Sequence, residues 1–183
     1  MAHGTNYELS DFLEHVEKSK LFATAESSPT VTRPIVSIRA LQTYLTTDRV
    51  RKLLLYVTSS SNYERIVRDR YLVVFSVLLA INRGVYITNF VQYDQLADER
   101  LPFLSRDEWP EVCKVIFPEF YEAQWKFCAK RLVYDRLNDT RLHADEVIPF
   151  KRKEVLKEGP DSTIFKAELF EEYKLPFSSR SNF

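Results

Sequence analysis

From Ile35 onward the apolar positions recur at helical spacing. Ile38, Leu41 and Leu45 form one set and Val50, Leu53, Leu54 and Val57 the next, which predicts two successive helices with Asp48 as a cap between them. Ser61-Asn62-Tyr63-Glu64 has the spacing of a capping box, in which two side chains satisfy the free N–H groups of a helix start. Behind it Val67, Tyr71, Val74, Leu78 and Ile81 extend one apolar face, so the pattern predicts a helix over 64–81. Its second half adds Leu72, Val73, Phe75, Val77 and Leu79 and is apolar nearly all round, as a central helix enclosed by others must be. Gly84 is placed to end it.

The flanking segments read less regularly. Thr5-Asn6-Tyr7-Glu8 is a capping box before a short helix with Phe12, Leu13 and Val16 on one side. The stretch 23–34 holds Ser27, Ser28, Pro29 and Pro34 with almost no large apolar group, and reads as a mobile linker. Tyr86, Ile87, Phe90 and Val91 suggest a further turn or two, and 94–102 has loop composition. Ser105 has capping-box spacing to Glu108, while Pro110 fits a first helical turn better than an interior. Phe117, Phe120, Tyr121, Gln124, Trp125 and Cys128 then fall at three- and four-residue intervals, an aromatic helix face. Beyond Val133, Val147, Ile148, Phe150, Val155, Ile164 and Phe165 favour strands, and Gly159, Pro160 and Asp161 interrupt them as a hairpin turn would. The end, 178–183, reads as a frayed tail.

These elements predict a mainly α protein, a compact helical bundle around 64–81 with a C-terminal β-hairpin. The expected organisation is a short helix and linker over 1–34, a helical core over 35–134, and a linker, hairpin and tail over 135–183. With 183 residues, 45% of them hydrophobic, the chain has enough apolar surface to bury a core.

Charge narrows the partners. Lys plus Arg and Asp plus Glu each number 26, so no net field favours nucleic acid or an anionic membrane. The most apolar run, 71–81, is far shorter than the ~20 residues of a bilayer-spanning helix. The start, Met1 to Asn6, lacks the basic and apolar stretches of a secretory signal, so an intracellular, cytoplasmic location is expected. Cys113 and Cys128 have neither zinc-ligand spacing nor a nucleophile signature, and reduced structural thiols are expected. Asn138-Asp139-Thr140 matches a glycosylation sequon, which has no chemistry without secretion.

One segment carries a family pattern. Leu156-Lys157-Glu158-Gly159-Pro160-Asp161-Ser162-Thr163-Ile164-Phe165-Lys166 resembles the opening of a protein-kinase small lobe, where strand, glycine-rich turn and strand cover the ATP phosphates. The three glycine places of that turn hold Lys157, Gly159 and Ser162, and the valine place holds Ile164. Two of the three glycines are therefore replaced, Pro160 removes an N–H, and Asp161 brings negative charge towards where phosphates would sit. Leu101-Pro102-Phe103 with Phe120-Tyr121, Gln124-Trp125 and Phe127-Cys128 is similar to the helical region before the kinase domain of fungal kinase-like proteins. The resemblance implies that the hairpin corresponds to the first two strands of a kinase small lobe. A kinase further needs a strand lysine, an H-R-D loop and a D-F-G metal site, and the sequence has none of the three, Lys174 standing in Tyr-Lys-Leu-Pro.

Candidate sites follow from residue chemistry. Phe120, Tyr121 and Trp125, with Phe165 on the hairpin, are candidate anchors for a protein partner, against the favoured reading that the helix aromatics pack onto the core. Lys151-Arg152-Lys153 reads either as an import or polyanion patch or as the solvent side of a strand, with Glu154 and Glu158 nearby. His143, Asp145 and Glu146 are metal-ligand types without a second, helix-spaced histidine, and a polar loop explains them. Asp107, Glu108 and Glu111 could be paired carboxylates, or acids favoured in a helix's first turn. No catalytic, cofactor or metal residue is expected. The functional expectation is a non-catalytic interaction or regulatory module, a truncated kinase-like protein with a protein partner. A fragment of a phosphotransferase needing a missing remainder, or an inert gene remnant, are the alternatives.

Overall fold

The computed structural model describes residues 5–24, 32–59, 62–130, 143–160 and 163–174. Its described elements are eight helices and two separate two-stranded sheets, a mainly α protein as the periodicity predicts. The helices are α1 (Thr5–Lys18), α2 (Ile38–Tyr44), α3 (Thr47–Thr58), α4 (Glu64–Arg70), α5 (Leu72–Ala80), α6 (Ile87–Phe90), α7 (Glu111–Lys114) and α8 (Phe117–Gln124). Strands β1 (Lys20–Thr24) and β2 (Thr32–Val36) form one sheet, β3 (Phe150–Glu158) and β4 (Thr163–Leu169) the other. The chain divides into two units, Met1–Leu21 with Val36–Cys128, and Phe22–Ile35 with Ala129–Phe183.

The first unit is built around α5. Leu72, Val74, Phe75, Val77, Leu78 and Leu79 are all buried, which is why this helix has no polar face. Each such side chain contributes about 1.5–3 kcal/mol on leaving water. Phe12 and Val16 of α1, Leu41, Leu45, Val50, Leu53 and Leu54 of the α2–α3 region, and Val67 of α4 complete that core. Leu13, expected on the same face of α1 as Phe12 and Val16, points outward.

Several predicted boundaries move, each for a local reason. The helix expected over 64–81 breaks at Tyr71, where φ is −133°. In a continuous helix the N–H groups of Val73 and Val74 would bond carbonyls one turn back. They donate instead to the Asp98 carboxylate, at 2.9 and 2.8 Å, so a side chain distant in sequence caps α5 as a separate helix. The helix ends not at Gly84 but through Asn82, in the left-handed conformation at φ 56°. The N–H of Arg83 reaches the Leu78 carbonyl at 2.7 Å and that of Asn82 reaches Leu79 at 3.1 Å, a Schellman arrangement with Asn in the glycine position. Gly84 serves packing: a Cβ there would lie 2.7 Å from Val57 Cγ1.

Thr46, rather than Asp48, caps α3 by accepting from the Arg49 N–H, and Asp48 occupies the first turn. Ser61 lies outside the described residues, and the N-cap residue of α4, Tyr63, makes no side-chain cap bond. Of the segment 23–34 expected to be a linker, residues 25–31 lie outside the described residues, and its two ends belong to β1 and β2, with Ala23 buried. Strand pairing lets even this apolar-poor stretch satisfy its backbone. Around Pro110 both readings of the sequence hold in part. Ser105 accepts from the Asp107 N–H over one 3₁₀ turn, and Pro110 then immediately precedes α7.

In the second unit β3 and β4 pair antiparallel, with Val155 opposite Phe165 and Lys153 opposite Ala167. The predicted hairpin is therefore present. Its turn residues Asp161 and Ser162 lie outside the described residues.

Candidate functional site

The aromatic helix face is an interior structure. Phe120 is 0% exposed, with its ring against Phe90, Phe103 and Trp109 at centroid distances of 5.7, 5.7 and 5.3 Å. Trp109 also meets Phe90, Phe103 and Phe117 edge-on, the geometry that places ring hydrogens against a π face. Trp125 is 7% exposed and half-buried Tyr121 lies edge-on to it. Of the partner-binding candidates on this helix, Phe120 and Trp125 are thus taken up by packing.

Beneath these rings Gln124 is fully buried. Its Nε2 donates to the Phe103 carbonyl at 2.9 Å and its Oε1 accepts the Phe103 N–H at 2.8 Å. The amide supplies one donor and one acceptor to a backbone unit that follows the cis Leu101–Pro102 bond and belongs to no strand. It does for Phe103 what a neighbouring strand would do.

The hairpin is arranged in the opposite way. Almost every residue of β3 and β4 is exposed, and among the described residues neither strand pairs with a third. One face carries Lys153, Val155, Phe165 and Ala167, and the other Arg152, Glu154, Lys166 and Glu168, as the cross-strand register requires. Phe165 is 38% exposed, and the Lys153 ammonium lies 3.7 Å from its ring centre. Leu156 and Ile164 are also exposed. Lys151 reaches Glu168 at 3.4 Å, and the Lys151-Arg152-Lys153 run decorates an exposed strand.

A polar cluster that the sequence does not announce lies where α1 meets α2 and α3. The Tyr44 hydroxyl donates to Asp11 at 2.6 Å, and Arg49 Nη1 donates to the same carboxylate oxygen at 3.1 Å. His15 stacks on the Tyr44 ring at 4.0 Å, and the Arg49 guanidinium lies 3.9 Å from the centre of that ring. Two groups that close to one ring centre must occupy opposite faces, so Tyr44 is sandwiched between His15 and Arg49. The Tyr44 hydrogen bond and Arg49 hold the Asp11 carboxyl below its ordinary range, while burial and the bond to Asp11 push the Tyr44 phenol up. His15 also lies 3.0 Å from the Ser19 hydroxyl, which bonds the His15 carbonyl at 2.7 Å. The only hint in the sequence is the four-residue spacing of Asp11 and His15, which puts both on one side of α1.

A groove of about 580 Å³ opens beside this cluster, lined among others by His15, Ser37, Arg39, Tyr44 and Arg49. Arg39 is exposed and forms no ion pair among the described residues.

The remaining candidates are closed. The Glu146 carboxylate accepts the His143 N–H at 2.9 Å and pairs with Lys130 at 2.7 Å, and His143 Nδ1 accepts the Asp145 N–H at 3.3 Å, so these side chains bond one another and Lys130 in a polar turn. Among the described residues no three His, Cys, Asp or Glu side chains are grouped to hold a metal. Asp107, Glu108 and Glu111 are exposed, and Glu111 pairs with Lys114 at 2.6 Å. Burial pushes the Cys113 thiol up to about 11 and the Cys128 thiol up to about 12, which keeps both protonated at neutral pH. No described helix is long and apolar enough to cross a membrane. Comparison of the chain with protein-family profiles, with characterised proteins and with solved structures found no match.

Proposed function

We propose that the chain is a non-catalytic interaction module of kinase-like type that takes an extended segment of another polypeptide onto its β3–β4 hairpin. The observation that carries this reading is a hairpin that has no third strand among the described residues and exposes its apolar Val155, Leu156, Ile164 and Phe165. Two strands alone are marginal in water, and an unpaired edge is a row of backbone donors and acceptors ready for another strand. Strand addition satisfies those groups, and pockets for alternate side chains give it selectivity.

The charge pattern indicates the occupant. Lys151, Arg152, Lys153, Lys157 and Lys166 outnumber Glu154, Glu158 and Glu168, so an extended segment alternating apolar and acidic residues complements the sheet. The kinase-like reading rests on the resemblance of 156–166 to a small-lobe opening, in which the second strand continues into further pairing. The replaced glycines and Pro160 support the non-catalytic part, because main-chain donors must close over a phosphate for the chemistry to begin.

Two experiments test the proposal. A photo-crosslinking side chain at Leu156 should label a protein partner, and Phe165→Glu should abolish labelling without lowering the thermal midpoint of the helical unit. Loss of labelling only with unfolding would refute the site. Saturable, magnesium-dependent ATP binding by the chain would overturn the non-catalytic assignment.

A further inference from the structure

The groove between α1 and the α2–α3 region has a lining of one charge sign. Arg39 and Arg49 contribute two guanidinium groups and His15 an imidazole, and among the described residues none that lines it is acidic. The Asp11 carboxylate, outside the lining, is committed to the Tyr44 hydroxyl and Arg49. Its volume of about 580 Å³ falls within the ~300–1,000 Å³ range of small-molecule sites.

The walls differ in how firmly they are held. Tyr44 is fixed by its ring sandwich and its bond to Asp11, and Arg49 is fixed by the same carboxylate. Ser37 accepts the Ala40 N–H and Thr46 accepts the Arg49 N–H, so these hydroxyls hold the backbone in place. Arg39 stands apart: it lines the groove, is exposed, and has no ion pair among the described residues. A guanidinium offers planar, paired donors that match the two oxygens of a carboxylate or phosphate.

We propose that this groove binds a small organic oxyanion, a carboxylate or phosphate ester whose charged head pairs with Arg39 and whose body rests against the Tyr44–His15 wall. The Arg49 charge is offset by Asp11, so the attraction comes from Arg39 and binding weakens as salt rises. This site is independent of the hairpin and stands whether or not strand addition does.

The test uses the full chain labelled with ¹⁵N and two probes, phenyl phosphate and benzoate, each titrated at low salt. Expected is saturable movement of amide signals confined to His15 and to 37–49 with at least one probe. Arg39→Gln, an exposed change that leaves the Tyr44 cluster intact, should weaken that binding at least tenfold. A match to only one probe identifies the head group. Linear, scattered shifts with both probes, or unchanged affinity in Arg39→Gln, would overturn the proposal.

Discussion

Replacing Gln124 offers a stringent probe of the first unit, because one side chain satisfies both polar groups of a buried peptide unit. In Gln124→Leu the apolar volume is nearly kept, yet the Phe103 N–H and carbonyl each lose a partner 2.8–2.9 Å away at a fully buried position. Each orphaned group costs about 1–3 kcal/mol, so the substitution should cost roughly 2–6 kcal/mol, a large part of the ~5–15 kcal/mol that stabilises a typical domain. Gln124→Glu is the sharper variant. Ionised, it offers acceptors only, and one oxygen faces the Phe103 carbonyl; protonated, it donates to that carbonyl and restores the pair. Buried glutamates can be raised by ~3–5 units, and at ~1.4 kcal/mol per unit a rise of ~3 units makes the ionised variant roughly 4 kcal/mol less stable at high pH. A raised folded-state pKa means that stability is present at low pH and lost as pH rises through it. Trp109 and Trp125 sit in the same aromatic cluster, so urea unfolding followed by tryptophan fluorescence reads this region directly. With slopes of ~1–3 kcal/mol per molar urea, the Gln124→Glu midpoint should fall by more than ~1 M between pH 5 and pH 8 beyond any shift of the parent. A pH-independent Gln124→Glu, or a Gln124→Leu within ~0.5 kcal/mol of the parent, would refute the two-bond account.

Two other substitutions follow from the same kind of accounting. Burial outweighs the Val73 and Val74 N–H bonds at Asp98 and pushes its carboxyl up to about 6, so its contribution to stability is fully present below pH ~4 and is lost as pH rises through 6. The change is on the order of 3 kcal/mol, and Asp98→Asn should remove that part of the pH profile measured by urea unfolding; an unchanged profile would assign the titration elsewhere. Gly84→Ala places a methyl 2.7 Å from Val57 Cγ1 and should cost about 1–3 kcal/mol. Adding Val57→Ala should recover part of that cost, whereas strict additivity in the double-mutant cycle would show that the two positions do not compete for space.

What the sequence by itself determined is the type of each strongly periodic segment. Apolar spacing in 38–57 and 64–81 could be satisfied only on helices, and an all-apolar stretch at 72–79 had to be enclosed, because exposing it would forfeit the main source of folding free energy. The hairpin was legible for a similar reason: strand-favouring residues flank a Gly-Pro turn that no helix tolerates. Only the tertiary structure decided what depends on groups remote in the chain. Tyr71 breaks a helix because Asp98, from a distant turn, takes its neighbours' N–H groups. The segment over 23–34 contains strand residues because backbone pairing, invisible in side-chain pattern, compensates for poor apolar content. The site was divided in the same way. Phe165 could be named as a hairpin residue from its strand-favouring type, while Phe120 and Trp125 are interior because Phe90, Phe103, Trp109 and Tyr121 meet them in space. The Asp11–His15–Tyr44–Arg49 cluster and its groove exist only where three helices meet, a convergence that no local spacing encodes.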